Sequence, residues 1–123
     1  MLDRIDLHIE VQPVPYDALR SDNAGEDSHV VLQRVLAARQ FRASLGTGPS
    51  SLFSGTSLKN ICPISEKAAA VLKTAFERMG LSARGHDRVL RVARTIADMD
   101  KQETIDSAHI SEAVQYRSLD RRM

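Results

Sequence analysis

A chain of 123 residues that is 42% hydrophobic and 27% charged is long and apolar enough to form one modest domain with a real core, which excludes intrinsic disorder. Seventeen Lys and Arg against sixteen Asp and Glu leave a net charge of +1, so net charge alone gives no grip on polyanions. The single cysteine rules out an internal disulfide, and zero Trp with 4% aromatics argues against a base-stacking platform. The apolar runs fall far short of the roughly 20 residues of a membrane span, so the reading is cytoplasmic with no membrane partner.

In chain order, Leu2 to Val11 places Ile5, Leu7, Ile9 and Val11 at period two, the pattern of a half-buried strand that ends before Pro13 and Pro15. No other convincing strand follows it, so its sheet belongs to another chain or to a larger protein from which this segment is cut. An acidic, small-residue loop from Asp17 to Asp27 leads to a helix near Ser28 to Ala43. Val31, Leu32, Val35 and Leu36 form its apolar stripe, with Arg34, Arg39 and Arg42 outside. The next stretch, Ser44 to Pro63, is rich in Gly and Ser and reads as a long irregular connector, pinned by Leu52, Phe53, Leu58 and Ile61. Its glycines near Thr56 do not make a phosphate-binding loop, since no Lys stands between Gly55 and Thr56 and no apolar strand precedes them.

From Ser65 the helical signals are strong. Ser65 is an N-cap, Ala69, Leu72, Ala75, Phe76 and Met79 share a face, and Gly80 ends the helix. Ser82 caps the next, whose stripe is Val89, Leu90, Ala93, Ile96 and Ala97. A turn over 100–104, an anchor at Ile105 and a cap at Asp106 or Ser107 introduce a last helix carrying Ile110, Ala113 and Val114. The expected fold is mainly α: a three-helix C-terminal unit preceded by one helix and a lone N-terminal β-strand. The divisions are 1–16 for the strand, 17–64 for a connector with one helix, and 65–123 for the helical domain.

Few residues offer chemistry. His8, His29, His86 and His109 are scattered without zinc-site spacing, no serine sits in a nucleophile elbow, and Cys62 reads as a small buried hydrophobe. No metal site is expected. Two arginines stand out. Arg84 lies in the first turn after the Ser82 cap, where unpaired backbone N–H groups and the helix dipole favour an anion such as phosphate, and Gly85 beside it leaves room for close approach. The plainer reading is a solvated face formed by Arg84, Arg88 and Arg91. Arg4, flanked by Asp3 and Asp6, is either a local ion pair or a guanidinium presented at an edge to a neighbour's transferring phosphoryl group.

The segments Leu2-Asp3-Arg4-Ile5-Asp6-Leu7-His8, Leu81-Ser82-Ala83-Arg84, Arg91 to Asp98 and Glu112 to Arg117 closely resemble the C-terminal part of the magnesium-chelatase-like AAA+ ATPases of the competence-protein ComM type. The resemblance runs from residue 2 to Arg121 and is poorest over Ser44 to Pro63. It implies a helical AAA+ lid, preceded by the last strand of a truncated ATPase core. By resemblance Arg4 matches the family's arginine finger, acting in trans, and Arg84 its sensor-2 arginine on the nucleotide phosphates. The Walker A and B elements of such proteins lie upstream and are not in this sequence. The segment alone is therefore not expected to hydrolyse ATP, while the parent protein is. ATP and Mg²⁺ are the cofactors implied for that full-length protein, with none in this segment. Neighbouring subunits of a homo-oligomeric ring are the implied partners, with DNA reached through the missing core. The implied work is DNA remodelling, as in helicase or branch-migration activity. The rival readings are a motor for magnesium-chelatase-type metal insertion and an autonomous helical nucleic-acid-binding module.

Overall fold

The computed structural model describes residues 6, 7, 9, 27–46 and 55–117. Among them are five helices: α1 (Ser28–Ser44), α2 (Gly55–Ile61), α3 (Glu66–Met79), α4 (Ala83–Met99) and α5 (Ser107–Gln115). The fold is mainly helical, as the apolar periodicity requires. None of these helices is long and apolar enough to cross a membrane.

Each C-terminal helix starts where a side chain replaces a missing backbone partner. Ser65 Oγ accepts from Ala68 N–H at 3.1 Å and Ser82 Oγ from Gly85 N–H at 3.0 Å. Gly80 ends α3 in the left-handed conformation at φ 61°, its N–H returning to the Phe76 carbonyl. Asp106 caps α5 in a capping box closed by His109, whose Nδ1 accepts from Asp106 N–H at 2.9 Å. With Nδ1 accepting, the Nε2 proton is donated to Asp100 Oδ2 at 3.0 Å. The caps of α3 and α5 also touch, Ser65 Oγ donating to Asp106 Oδ1 at 3.2 Å. Beside them an isolated parallel bridge joins Ile64 to Ile105, with Ile105 N–H donating to Pro63 O and Ser65 N–H to Ile105 O.

The core gathers Leu58, Ile61, Cys62, Leu72, Leu81, Val89, Leu90, Ile105 and Ile110 around Ala68, Ala93, Ala97 and Ala113. The alanines leave no bulk between helices, which lets α4 pack against α5 and α3 against α5. Leu58, Ile61 and Cys62 belong to this same core.

Three expectations are corrected here. The connector Ser44 to Pro63 is not wholly irregular: α2 runs through it and buries Leu58 and Ile61, while Leu52 and Phe53 lie outside the described residues. The stripe Val31, Leu32, Val35 and Leu36 is exposed by 39–51%, because α1 meets α4 through its C-terminal half, where Ala38 is buried. Arg42, expected outside the stripe, is buried, because its guanidinium reaches inward to the Ile61 carbonyl and to Asp98, both at 3.5 Å. The strand expected over residues 2–11 lies almost entirely outside the described residues. Its described positions Asp6, Leu7 and Ile9 are in no sheet.

Among the described residues Arg94 and Arg117 are the largest fully buried side chains, and Arg94 is 0% exposed. Its Nε donates to Asp98 Oδ1 at 3.1 Å, Nη1 to Ile61 O at 3.3 Å and Glu103 O at 2.6 Å, and Nη2 to Gln102 O. Burial pulls the Arg94 guanidinium below the ordinary arginine range and pushes Asp98 above the carboxylate range, while their mutual attraction opposes both shifts. Arg94→Met, which keeps much of the volume but leaves Asp98 and three carbonyls short of a donor, is expected to destabilise the fold by about 3 kcal/mol in denaturant titration. Arg94→Met with Asp98→Leu is expected to regain part of that loss.

The Asp106 cap gives a pH signature. The Ser107 N–H at 2.8 Å and the Ser65 hydroxyl hold its carboxyl below the usual range. A depressed carboxylate stabilises the fold above its unfolded pKa, and that contribution fades as pH falls through the folded value. The melting temperature of the wild type is therefore expected to exceed that of Asp106→Ala at neutral pH, with the gap narrowing below the ordinary carboxylate range.

Candidate functional site

At the start of α4 an exposed cation meets a helix N-terminus. Ser82 takes up one of the four unpaired N–H groups of the first turn, and Arg84 stands in that same turn. Arg84 is exposed and has no partner among the described residues. Its neighbours along the helix, Ala83, His86 and Asp87, line a cleft of about 830 Å³ between α3 and α4. Ile64, Leu72, Phe76 and Leu90 give the cleft an apolar lining, with Lys59 and Lys73 also on its wall. His86 meets Phe76 edge to face at 5.9 Å and lies 3.5 Å from Asp87.

Cys62 is in the lining of this cleft, and its chemistry is quiet. Burial pushes its thiol up to about 11, so it is neutral and a poor nucleophile at ordinary pH. It packs in the core with its Sγ 4.0 Å from the Leu90 carbonyl, as a small hydrophobe should.

Arg84, Arg88 and Arg91 do not form one solvated face. Only Arg84 is exposed; Arg91 is half-buried and engaged, and Arg88 is half-buried, donating to Asp6 at 2.9 Å. Gly85 also departs from expectation. It is buried, and an added Cβ would meet Leu81 and Ser82 at 3.4 to 3.7 Å, so its open side faces the preceding loop and no ligand approach depends on it. Arg4 lies outside the described residues. Among those described there is no group of three His, Cys, Asp or Glu able to hold a metal.

The residues that sequence reasoning missed are Arg42, Arg94, Asp98 and His109. A signal for two of them was present: Arg94 lies beside Ala93 and four residues after Leu90 on the buried face of α4, with Asp98 one turn further on. A cation on an apolar stripe with an acid at i+4 marks a buried pair. Arg117 is buried as well. The segments Arg91 to Asp98 and Glu112 to Arg117 thus supply scaffold, while Leu81 to Arg84 supplies the exposed charge.

Comparison with known proteins places this geometry in context. A family profile described as the C-terminal part of magnesium chelatase subunit ChlI matches residues 25–117. The chain is 37% identical over 122 residues to the uncharacterized protein YifB of Escherichia coli K12, covering 98% of this chain and 24% of that protein. It is 34% identical over 119 residues to the competence protein ComM of Haemophilus influenzae, covering 96% and 23%. An uncharacterized protein of Mycobacterium tuberculosis H37Rv is 32% identical over 121 residues, covering 95% and 24%. The chain spans about a quarter of the length of these curated relatives.

Since the side chain of alanine fits beside Ser82 and Leu81 and removes backbone freedom from the unfolded chain, Gly85→Ala is expected to stabilise the fold by about 0.5 to 1 kcal/mol. Thermal melting of the two proteins checks it.

Proposed function

Because the chain belongs to the magnesium-chelatase-like family, its residues 25–117 matching the profile of the C-terminal part, we propose that it is the helical lid end of a ring-forming AAA+ ATPase. The observation that carries this reading is Arg84, an exposed guanidinium without a described partner, held in the first turn of a capped helix beside an open cleft. A guanidinium there adds fixed positive charge to a helix end that already favours anions, which suits it to the phosphate tail of a nucleotide. Asp87 is the opposing charge in the cleft wall, and Lys59 and Lys73 outweigh it. ATP, when bound, supplies a hydrolysable phosphoanhydride. In this reading Arg84 holds its phosphates, and groups outside this chain, together with the nucleotide, hold Mg²⁺.

Arg4 is the companion assignment, an arginine finger reaching a neighbouring subunit's nucleotide. Such a residue acts by neutralising charge that develops on the transferred phosphoryl group, so its effect falls on turnover more than on binding. The partners are then copies of the same protein in a ring working in the cytoplasm. The name of the Haemophilus relative, a competence protein, supports DNA remodelling as the work that the ATPase performs. The description of the family profile supports a second reading, a motor for metal insertion by magnesium chelatase. ATP-dependent unwinding or branch migration of DNA separates the first from the second, which requires chelatase activity with partner subunits.

In the intact protein, Arg84→Ala is expected to lower ATP turnover at least about tenfold while leaving the lid folded, which corresponds to about 1.4 kcal/mol of lost transition-state stabilisation. Arg4→Ala is expected to lower it further, and mixing it with a Walker-A-dead partner is expected to recover activity, as action in trans demands. Wild-type rates in both variants would remove both assignments.

A further inference from the structure

Asp6 and Arg88 stand 82 positions apart, yet Arg88 Nη1 donates to Asp6 Oδ1 at 2.9 Å. The pair is partly shielded: the Arg88 side chain is 23% exposed, and its Nε is enclosed without a hydrogen-bond partner. Such a pair is less screened than a surface one, and losing one member strands a partly desolvated charge. At the described positions beside Asp6, apolar burial does not hold the chain in place. Leu7 and Ile9, just beyond Asp6, are 46% and 64% exposed. The ion pair is the polar tie between the N-terminal segment and the helical body among the described residues.

Chain order gives this tie a meaning. Arg88 is one helical turn after Arg84 on α4, and Asp6 is two residues after Arg4. Two residues of chain reach at most about 7 Å, so an anchor at Asp6 limits how far Arg4 can stray from α4. We propose that Asp6 and Arg88 are positioning residues that fasten the Arg4 segment to the helix carrying Arg84. The arginine that contacts a subunit's own nucleotide and the arginine offered to its neighbour's then move as one body. Engagement of a nucleotide by Arg84 registers Arg4 toward the next site, which is a physical route for coupling between sites. The inference rests on the reading of Arg4 and Arg84 given above.

The test uses the intact ATPase. Asp6→Arg and Arg88→Asp are each expected to lower kcat roughly tenfold with KM for ATP changed less than about twofold, because they displace a group that acts in the transition state. The exchange of both charges in one protein is expected to restore turnover to within about threefold, since the two sites share one interaction. The Hill coefficient for ATP is expected to fall toward 1 in the single variants and to recover in the exchange. Circular dichroism melting checks folding, and Asp6→Asn replaces Arg88→Asp if that variant does not fold. Single variants with wild-type kcat, while Arg4→Ala and Arg84→Ala are impaired, would refute the tie and leave the site reading standing. Loss in the single variants with no recovery on exchange would also refute it. Silent Arg4→Ala and Arg84→Ala would overturn the site reading and the tie with it.

Discussion

The Arg94 guanidinium is a cation taken wholly out of water, and it survives there because its N–H groups meet the Asp98 carboxylate and three backbone carbonyls. Those acceptors come from three places. Ile61 O is the end of α2, where the helix dipole is negative; Gln102 O and Glu103 O belong to the turn after α4; Asp98 is one turn along α4 itself. Arg42, from α1, adds a second guanidinium to the same carbonyl and carboxylate. One buried charge centre therefore fastens α1, α2, α4 and the turn to α5. Lys101, in the left-handed conformation at φ 55°, turns the chain so that the Gln102 and Glu103 carbonyls face back toward that centre.

With the far end of α4 locked, its near end is set by smaller means. Ser82 caps the first turn, Leu81 is buried against Gly85, and Gly80 reverses the chain from α3 within two residues. Arg84 is thus carried on a helix whose axis is fixed by the core, while its own side chain is left exposed. That combination, a rigid base under an exposed charge, suits a residue that must meet a ligand with little reorganisation. Asp6 reaches the same helix one turn later, so α4 carries the scaffold charge, the exposed charge and the tie to the N-terminal segment along one axis.

The helices with caps were legible in the sequence because caps and stripes are local. Ser65, Gly80, Ser82 and Asp106 all perform the roles that their residue types announced, and Ile105 is buried as an anchor should be. The family was legible too, through Leu81 to Arg84 and Arg91 to Asp98, and the profile match over residues 25–117 bears that resemblance out. What escaped notice was tertiary. Helix α2 is seven residues long with Gly, Thr and Ser at its start, a composition that reads as a turn until Leu58 and Ile61 find a core to enter. Arg42 and Arg94 carry the most polar side chain in the alphabet, and only a converging set of carbonyls from distant segments makes their burial favourable. The stripe of α1 looked like a core face because periodicity reports amphipathicity and says nothing of which partner lies within reach.

The bridge between Ile64 and Ile105 has a kinetic side. It joins two backbone segments separated by forty residues, whereas the caps and helix turns around it close over three or four. Loop closure over that distance carries an entropy cost that no local contact refunds, so the caps and turns of α3 and α4 can form locally while the bridge at the entry to α5 waits. The Ser65 to Asp106 hydrogen bond and the Ile105 to Pro63 bond then make the two ends of the three-helix unit mutually dependent, which favours melting of that unit as a single cooperative transition over fraying from its C-terminal end.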